Sequence, residues 1–335
     1  IQKIFYENYT IVKHIDEMSG DAVTLHPLRL SRYRIGILIN AKSDSYAAIT
    51  ALIEKLLFYT IQEFDLRFAA FLGKWSDNPL LLSDCYAQAL KCAEYPFYYP
   101  NRKLILYPEI EKRETGLRQC PLPDSEFLQA LHLQDMELVR KYMHDLTELF
   151  TQPDYSASYC SRKLQDMVDM MSQFIRSRLP DSPLGADLMP EYQSLTDIYQ
   201  YSAWMTAKAQ DVFQALADKK RMRNFGIIQN VKEYIDKNIG YSLSLESAAG
   251  SVNLTPKYLS KVFKDVTGVN FHDYLTEQRL RKGLQLLADP KQSVDQISQQ
   301  IGYSSAAYFI RQFKKYYGDT PSRYRAKIRS GIREG

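Results

Sequence analysis

One pattern occurs twice in the C-terminal third of this 335-residue chain, as Ser244-Leu-Glu-Ser-Ala-Ala-Gly-Ser-Val252 and as Ser293-Val-Asp-Gln-Ile-Ser-Gln-Gln-Ile301. Each copy begins with a serine and carries a carboxylate two residues later. This arrangement is typical of the first turn of a helix, because the hydroxyl caps free backbone N–H groups and the carboxylate faces the positive end of the helix dipole. Apolar residues follow at matched positions in both copies, so the sequence predicts the same short helix twice.

A second helix-forming stretch follows each copy after a short turn, at residues 255–264 and 304–314. The two stretches align at a constant spacing of 50 residues at these pairs: Leu259 and Phe309, Phe263 and Phe313, Gly268 and Gly318, Tyr274 and Tyr324. The earlier helices align at 49, which places one extra residue in the second turn. Two helices joined by a short turn are the unit that inserts a recognition helix into the major groove. Residues 270–288 predict one long helix that holds the two units about 34 Å apart, one turn of the duplex.

The charge is divided unevenly along the chain. All 43 Lys and Arg against 39 Asp and Glu give a net charge of only +4. From residue 221 onward there are 19 basic and 10 acidic residues, a net charge of +9, and residues 1–220 carry the remaining 24 and 29, a net charge of −5. The basic third coincides with the repeat, which favours a polyanionic partner such as DNA.

Four motifs carry a resemblance to a known family. They are Tyr258-Leu-Ser-Lys-Val-Phe-Lys264, Gln278-Arg279-Leu280, Ile301-Gly302-Tyr303 and the tail Tyr308-Phe-Ile-Arg-Gln-Phe-Lys-Lys-Tyr-Tyr-Gly-Asp-Thr-Pro-Ser-Arg-Tyr-Arg325. Because of these four motifs, residues 225–330 resemble the C-terminal DNA-binding domain of AraC/XylS-type transcription regulators. Gly283 departs from the family pattern, which usually has Ala there, and glycine weakens a helix by about 1 kcal/mol.

The resemblance implies which side chains meet double-stranded operator DNA. The positions that it places at base edges are Lys257, Ser260 and Lys261 in the first unit, and Ala306, Ala307 and Arg311 in the second. Ser305, which directly precedes Ala306, is also expected to contact DNA. Those better suited to phosphates are Lys264, Lys314, Lys315 and Arg323. Lys and Arg are suited to guanine O6 and N7, whereas alanine offers only apolar contact, for instance to a thymine methyl group.

The first 112 residues predict an α+β domain with strand, helix, strand, helix, strand at about 31–40, 45–57, 66–72, 80–95 and 103–107. They resemble the degenerate GGDEF-like, nucleotidyl-cyclase-fold domain that precedes the helical segment in a subset of these regulators. An active cyclase needs a glycine pair and a metal-binding carboxylate, and residues 27–34 contain neither. We therefore expect no enzyme activity, no cofactor and no metal. Residues 113–222 predict an all-α linker, and 223–335 the double helix–turn–helix domain.

The function expected from the sequence is a DNA-binding transcription regulator that forms the cytoplasmic part of a sensor. The resemblance implies a homodimer, contact with RNA polymerase and a membrane sensor upstream of Ile1. Four scattered cysteines fit a reducing cytoplasm. Two alternatives remain open at this point: a nucleotide-binding or cyclase-like signalling protein using the N-terminal domain, and a regulator that binds a small ligand in its helical middle.

Overall fold

A computed structural model describes residues 2–31, 34–41, 46–115, 120–152, 154–185 and 187–329. The chain divides into two compact units, Ile1–Gln214 and Ala215–Gly335. The division falls inside a single long helix. The predicted division into three domains at 112 and 222 therefore stays a prediction.

The N-terminal unit contains two small sheets and a series of helices. Its strands are β1 (Val23–Ser31), β2 (Arg34–Ala41), β3 (Ala70–Leu72) and β4 (Leu104–Leu106). Its helices are α1 (Gln2–Glu17), α2 (Tyr46–Phe64), α3 (Leu82–Cys92), α4 (Tyr107–Thr115), α5 (Asp124–Leu133), α6 (Met136–Thr151), α7 (Ala157–Arg178) and α8 (Met189–Gln193). Helix α9 (Ile198–Asn238) begins in this unit and continues into the next.

The cyclase-like sheet expected at the N-terminus is not confirmed. In the described residues β1 and β2 form an antiparallel pair, while β3 and β4 form a separate parallel pair. The predicted strand at 66–72 pairs only over its last three residues. Asp65 adopts a left-handed conformation after α2, and Phe68 then packs on the core between α1, β1 and α2 instead of extending a strand. Helix α1, which precedes the first predicted strand, buries Ile11 and Ile15.

The helical middle of the chain has the core that its periodicity predicts. Met167 and Met171 of α7 and Met205 of α9 are fully buried, so these methionines are packed core. The thiols of Cys92 and Cys160 are buried as well, and burial raises the pKa of each to about 12. Both thiols therefore stay protonated near neutral pH and act as small apolar side chains.

The C-terminal unit contains the remainder of α9 and six further helices. These are α10 (Leu245–Ser251), α11 (Pro256–Thr267), α12 (Phe271–Leu286), α13 (Val294–Gln300), α14 (Ala306–Tyr317) and α15 (Pro321–Arg329). Two separate cores hold them together. Leu275 of α12 belongs to the first core and Leu280, also of α12, belongs to the second, so this helix connects the two.

Helix α9 is longer than the sequence predicts. Periodicity predicts a helix over about 195–216, but α9 continues to Asn238 and supplies Ile228, Val231 and Ile235 to the first core. The predicted domain boundary after residue 222 therefore falls within this helix, in the basic stretch at 219–223. Lys and Arg are good helix formers, so this stretch does not interrupt the helix.

Candidate nucleic-acid interface

Both copies of the repeat begin with the capping structure that their serines predict. The Ser244 hydroxyl accepts a bond from the Ser247 amide (3.2 Å), and the Ser247 hydroxyl accepts one from the Ser244 amide (3.1 Å). Ser293 and Gln296 make the same reciprocal pair at 3.1 and 2.8 Å. Such a cap contributes about 1 kcal/mol to the helix that it begins. Hydrogen bonds to its own backbone amide and to the Ser244 side chain lower the pKa of Glu246, which keeps a negative charge at this helix start.

The turns of the two units have the same geometry. Asn253 after α10 and Gly302 after α13 occupy equivalent positions, and both adopt left-handed backbone conformations, with φ of 55° and 83°. Helix α11 then begins three residues after Asn253, and α14 begins four residues after Gly302. The extra residue therefore lies in the second turn, as the change of spacing from 49 to 50 predicts.

The first recognition helix, α11, has a buried face and a basic face. Leu259, Val262 and Phe263 are buried in the first core. The four predicted DNA-contacting side chains on this helix are all exposed: Lys257, Ser260, Lys261 and Lys264. Their spacing of i, i+3, i+4 and i+7 brings them onto one face. A continuous surface of three cations and one hydroxyl is therefore available to a groove.

The second recognition helix, α14, repeats this division with a different exposed surface. Phe309 and Phe313 are fully buried. Ala307, Arg311, Lys314 and Lys315 are exposed, whereas Ala306 is half-buried. The Ser305 hydroxyl accepts a bond from the Tyr308 amide at 3.4 Å, so this predicted contact is also the cap of the helix. Arg323 lies outside the recognition helix, exposed in α15.

Arg279 joins the two helix–turn–helix units, a role that the sequence does not reveal. Its Nη2 donates to the Tyr241 carbonyl after α9 at 2.8 Å, and its guanidinium lies 5.5 Å from the ring centre of Tyr303 after α13. Burial lowers the pKa of Arg279 and raises that of Tyr303 to about 12. One signal in the sequence points to Arg279: it lies one turn after buried Leu275, where an apolar residue is expected.

Gly302 belongs to the same junction. A Cβ atom at this position would lie 2.7 Å from the Ile239 carbonyl oxygen and 2.7 Å from Arg279 Nη2. Only glycine permits the turn after α13 to approach the chain segment after α9 this closely. The spacing of the recognition helices therefore depends on the junction as well as on α12.

The N-terminal unit contains a cavity of about 280 Å³ bounded by β2, α2, β3 and α3. Its lining is mostly aliphatic, with Arg34 as the one charged residue and Thr60 and Tyr86 as the hydroxyl groups. Among the described residues that line the cavity, none is a carboxylate that could hold the metal of a nucleoside triphosphate. Among the described residues, no helix is both long enough and apolar enough to cross a bilayer.

Two helix–turn–helix units joined by one helix define a class of DNA-binding domain. Residues 248–327 match the family model described as a helix-turn-helix domain. The Msm operon regulatory protein of Streptococcus mutans is 33% identical over 103 residues, which cover 31% of this chain and 37% of that protein. The C-terminal domain of the response regulator yesN from Fusobacterium nucleatum is 33% identical and has a TM-score of 0.28, with coverage of 28% of this chain and 93% of that domain.

The uncharacterized HTH-type transcriptional regulator YtdP of Bacillus subtilis matches a longer stretch. It is 25% identical over 256 residues, which cover 73% of this chain and 32% of that protein. The chain thus spans about a third of the length of these two curated relatives. These findings show that residues 248–327 form a helix-turn-helix domain similar to those of known transcriptional regulators.

Proposed function

We propose that this chain is a sequence-specific DNA-binding transcription regulator whose two recognition helices enter successive major grooves. One observation carries the proposal: α11 and α14 each present an exposed basic face over a separate buried core, and α12 belongs to both cores. A helix–turn–helix pair on a rigid connection fits one face of the duplex when the recognition helices are about one turn apart.

The side chains divide into two groups by chemistry. Lys257, Ser260, Lys261 and Arg311 can donate to base edges, and Arg311 has the fork that fits guanine O6 and N7. Ala307 offers a methyl group, so the second unit specifies bases chiefly through Arg311. Phosphate contacts fall to the remaining cations, which lie at the ends of the recognition helices and in α15: Lys264, Lys314, Lys315 and Arg323.

Selection from a random DNA pool tests the proposal directly. The chain should enrich one motif with two half-sites about one helical turn apart. Arg311→Ala should then cost about 1–3 kcal/mol at one base position and relax the preference there. Arg323→Ala is the matched control, because removal of a phosphate-binding side chain weakens binding to every sequence equally. Enrichment of no motif at physiological salt would refute sequence-specific binding.

We propose that the acidic N-terminal part forms the homodimer contact and transmits a signal to the DNA-binding unit. In this proposal the chain is the cytoplasmic part of a sensor that contacts RNA polymerase and is controlled from an upstream membrane segment. The net charge of −5 over residues 1–220 supports a role away from DNA. Sedimentation of residues 1–220 and of the full chain tests the dimer, which requires both to sediment as dimers.

A further inference from the structure

A second basic surface lies in the C-terminal unit outside both helix–turn–helix motifs. The α9 segment at residues 219–223, Lys-Lys-Arg-Met-Arg, precedes Ile228, the first residue that this helix contributes to the first core of the C-terminal unit. Lys220 and Arg221 are exposed, and the Arg221 side chain retains 78% of its accessible surface. Its ion pair with Asp218, at 3.5 Å, is on the surface and contributes little to stability.

One contact joins this part of α9 to the first recognition helix. The Tyr258 hydroxyl of α11 donates to Asn224 Oδ1 of α9 at 3.4 Å. Lys220 and Arg221 precede Asn224 by four and three residues, so they lie one turn away on the same face of α9. Lys261 follows Tyr258 by three residues on α11, again one turn away. Both helices therefore carry exposed cations within one turn of the Asn224–Tyr258 contact.

Arg221 contributes little to the stability of the C-terminal unit, because its ion pair with Asp218 lies on the surface. Lys232, further along α9, covers the Tyr274 ring at 5.4 Å and so has a packing role. Lys220 and Arg221 instead place long, flexible cationic side chains beside a surface that already carries Lys257 and Lys261. Flexible exposed cations next to a groove-binding helix are suited to phosphate oxygens, which need charge rather than a fixed base-edge geometry.

We propose that Lys220 and Arg221 bind backbone phosphates beside the half-site of the first unit and extend the DNA footprint beyond the two recognition helices. This inference rests on the proposed function, because it assumes that α11 lies in a major groove. It assigns the α9 segment a share of the affinity and none of the base specificity.

The test uses the full chain with Lys220→Gln and Arg221→Gln combined. Binding to the selected motif and to an unrelated duplex is measured by fluorescence anisotropy between about 50 and about 200 mM salt. The slope of log affinity against log salt should become shallower by about 1.8, which is about 0.9 for each phosphate that the variant no longer neutralises. Affinity should fall by the same factor on both duplexes. Shortening the DNA on the first-unit side should weaken the wild type and leave the variant unchanged.

The matched control combines Arg140→Gln and Lys141→Gln, which remove the same charge from exposed positions of α6 in the N-terminal unit. Its salt slope should equal that of the wild type. An unchanged salt slope in the α9 variant would overturn the inference. If the wild type still binds the selected motif, the proposed function is unaffected by that result. A change in the oligomeric state without a change in slope would also overturn the inference, because the surface would then bind protein. Failure of the wild type to select a motif is a separate result, and it refutes the proposed function instead.

Discussion

The guanidinium of Arg311 lies over the ring of Tyr308, 5.2 Å from its centre, on the exposed face of the second recognition helix. Tyr308 in turn lies against Tyr303, and Arg279 lies over the Tyr303 ring. The proposed base-reading arginine is thus the end of a chain of contacts that begins at the junction between the two units. A side chain held in this way loses less conformational freedom when it binds a base.

Tyr308→Leu should weaken binding to the selected motif by roughly two- to fivefold, because a cation–π contact at an exposed site contributes about 0.5–1 kcal/mol. The decrease should concentrate at the base that Arg311 reads, as measured by competition with single-base variants of the motif. Tyr308→Phe keeps the ring and should retain wild-type affinity. Equal decreases in the Leu and Phe variants would instead assign the effect to the tyrosine hydroxyl.

Gly302→Ala should destabilise the C-terminal unit by about 1–3 kcal/mol or more. The alanine would be strained in the left-handed backbone conformation, and its Cβ would clash with the Ile239 carbonyl. Gly250→Ala is the control, because no heavy atom lies within 4 Å of its Cβ position in α10. The control should be neutral or stabilising by up to about 1 kcal/mol. Urea unfolding followed by circular dichroism measures both variants. Equal stability of the two variants would contradict the close approach at the junction.

Gly283→Ala places two effects in opposition. Alanine improves helix propensity by about 1 kcal/mol, but its Cβ would lie 3.0 Å from Ile301 Cδ1 and 3.3 Å from the Phe309 ring. Both neighbours are fully buried, so we expect net destabilisation in urea unfolding. Ile301→Val removes the nearer atom. The Gly283→Ala, Ile301→Val double variant should therefore be more stable than the sum of the two single changes predicts. Strict additivity would show that the contact with Ile301 Cδ1 does not limit the side chain at position 283.

The sequence predicts the C-terminal unit well because its signals are local. The serine caps at 244 and 293 and the buried Phe263 and Phe313 follow from spacing within single helices. The junction is different, because Arg279 meets Tyr241, 38 residues earlier, and no helical period relates the two. All eleven proposed DNA-contacting residues remain predictions about DNA, although their exposure, with Ala306 half-buried, follows from the same helical period.

The N-terminal unit is less predictable for a related reason. Residues 66–72 are apolar whether they pair in a sheet or pack on a helix, so hydropathy alone does not distinguish the two outcomes. The structure has Phe68 in the core near α2 and only Ala70–Leu72 paired with β4. Strand pairing depends on residues far apart in the chain, which periodicity does not report.

Glu191 gives the N-terminal unit a dependence on pH that can be measured. Its carboxylate accepts bonds from Trp204 Nε1 at 2.8 Å and from Lys208 Nζ, and these bonds lower its pKa. The unfolded chain therefore binds this proton more readily, so the stabilisation is complete above the unfolded pKa and is lost as the pH falls through the lower folded pKa. Because the Glu191 side chain is half-exposed, the expected contribution near neutral pH is at most about 1 kcal/mol. Glu191→Gln should remove this part of the acid sensitivity in urea unfolding between about pH 7 and about pH 3. Glu137→Gln, an exposed change in α6, should keep the wild-type profile, and a Glu191→Gln profile parallel to the wild type would rule out the linkage.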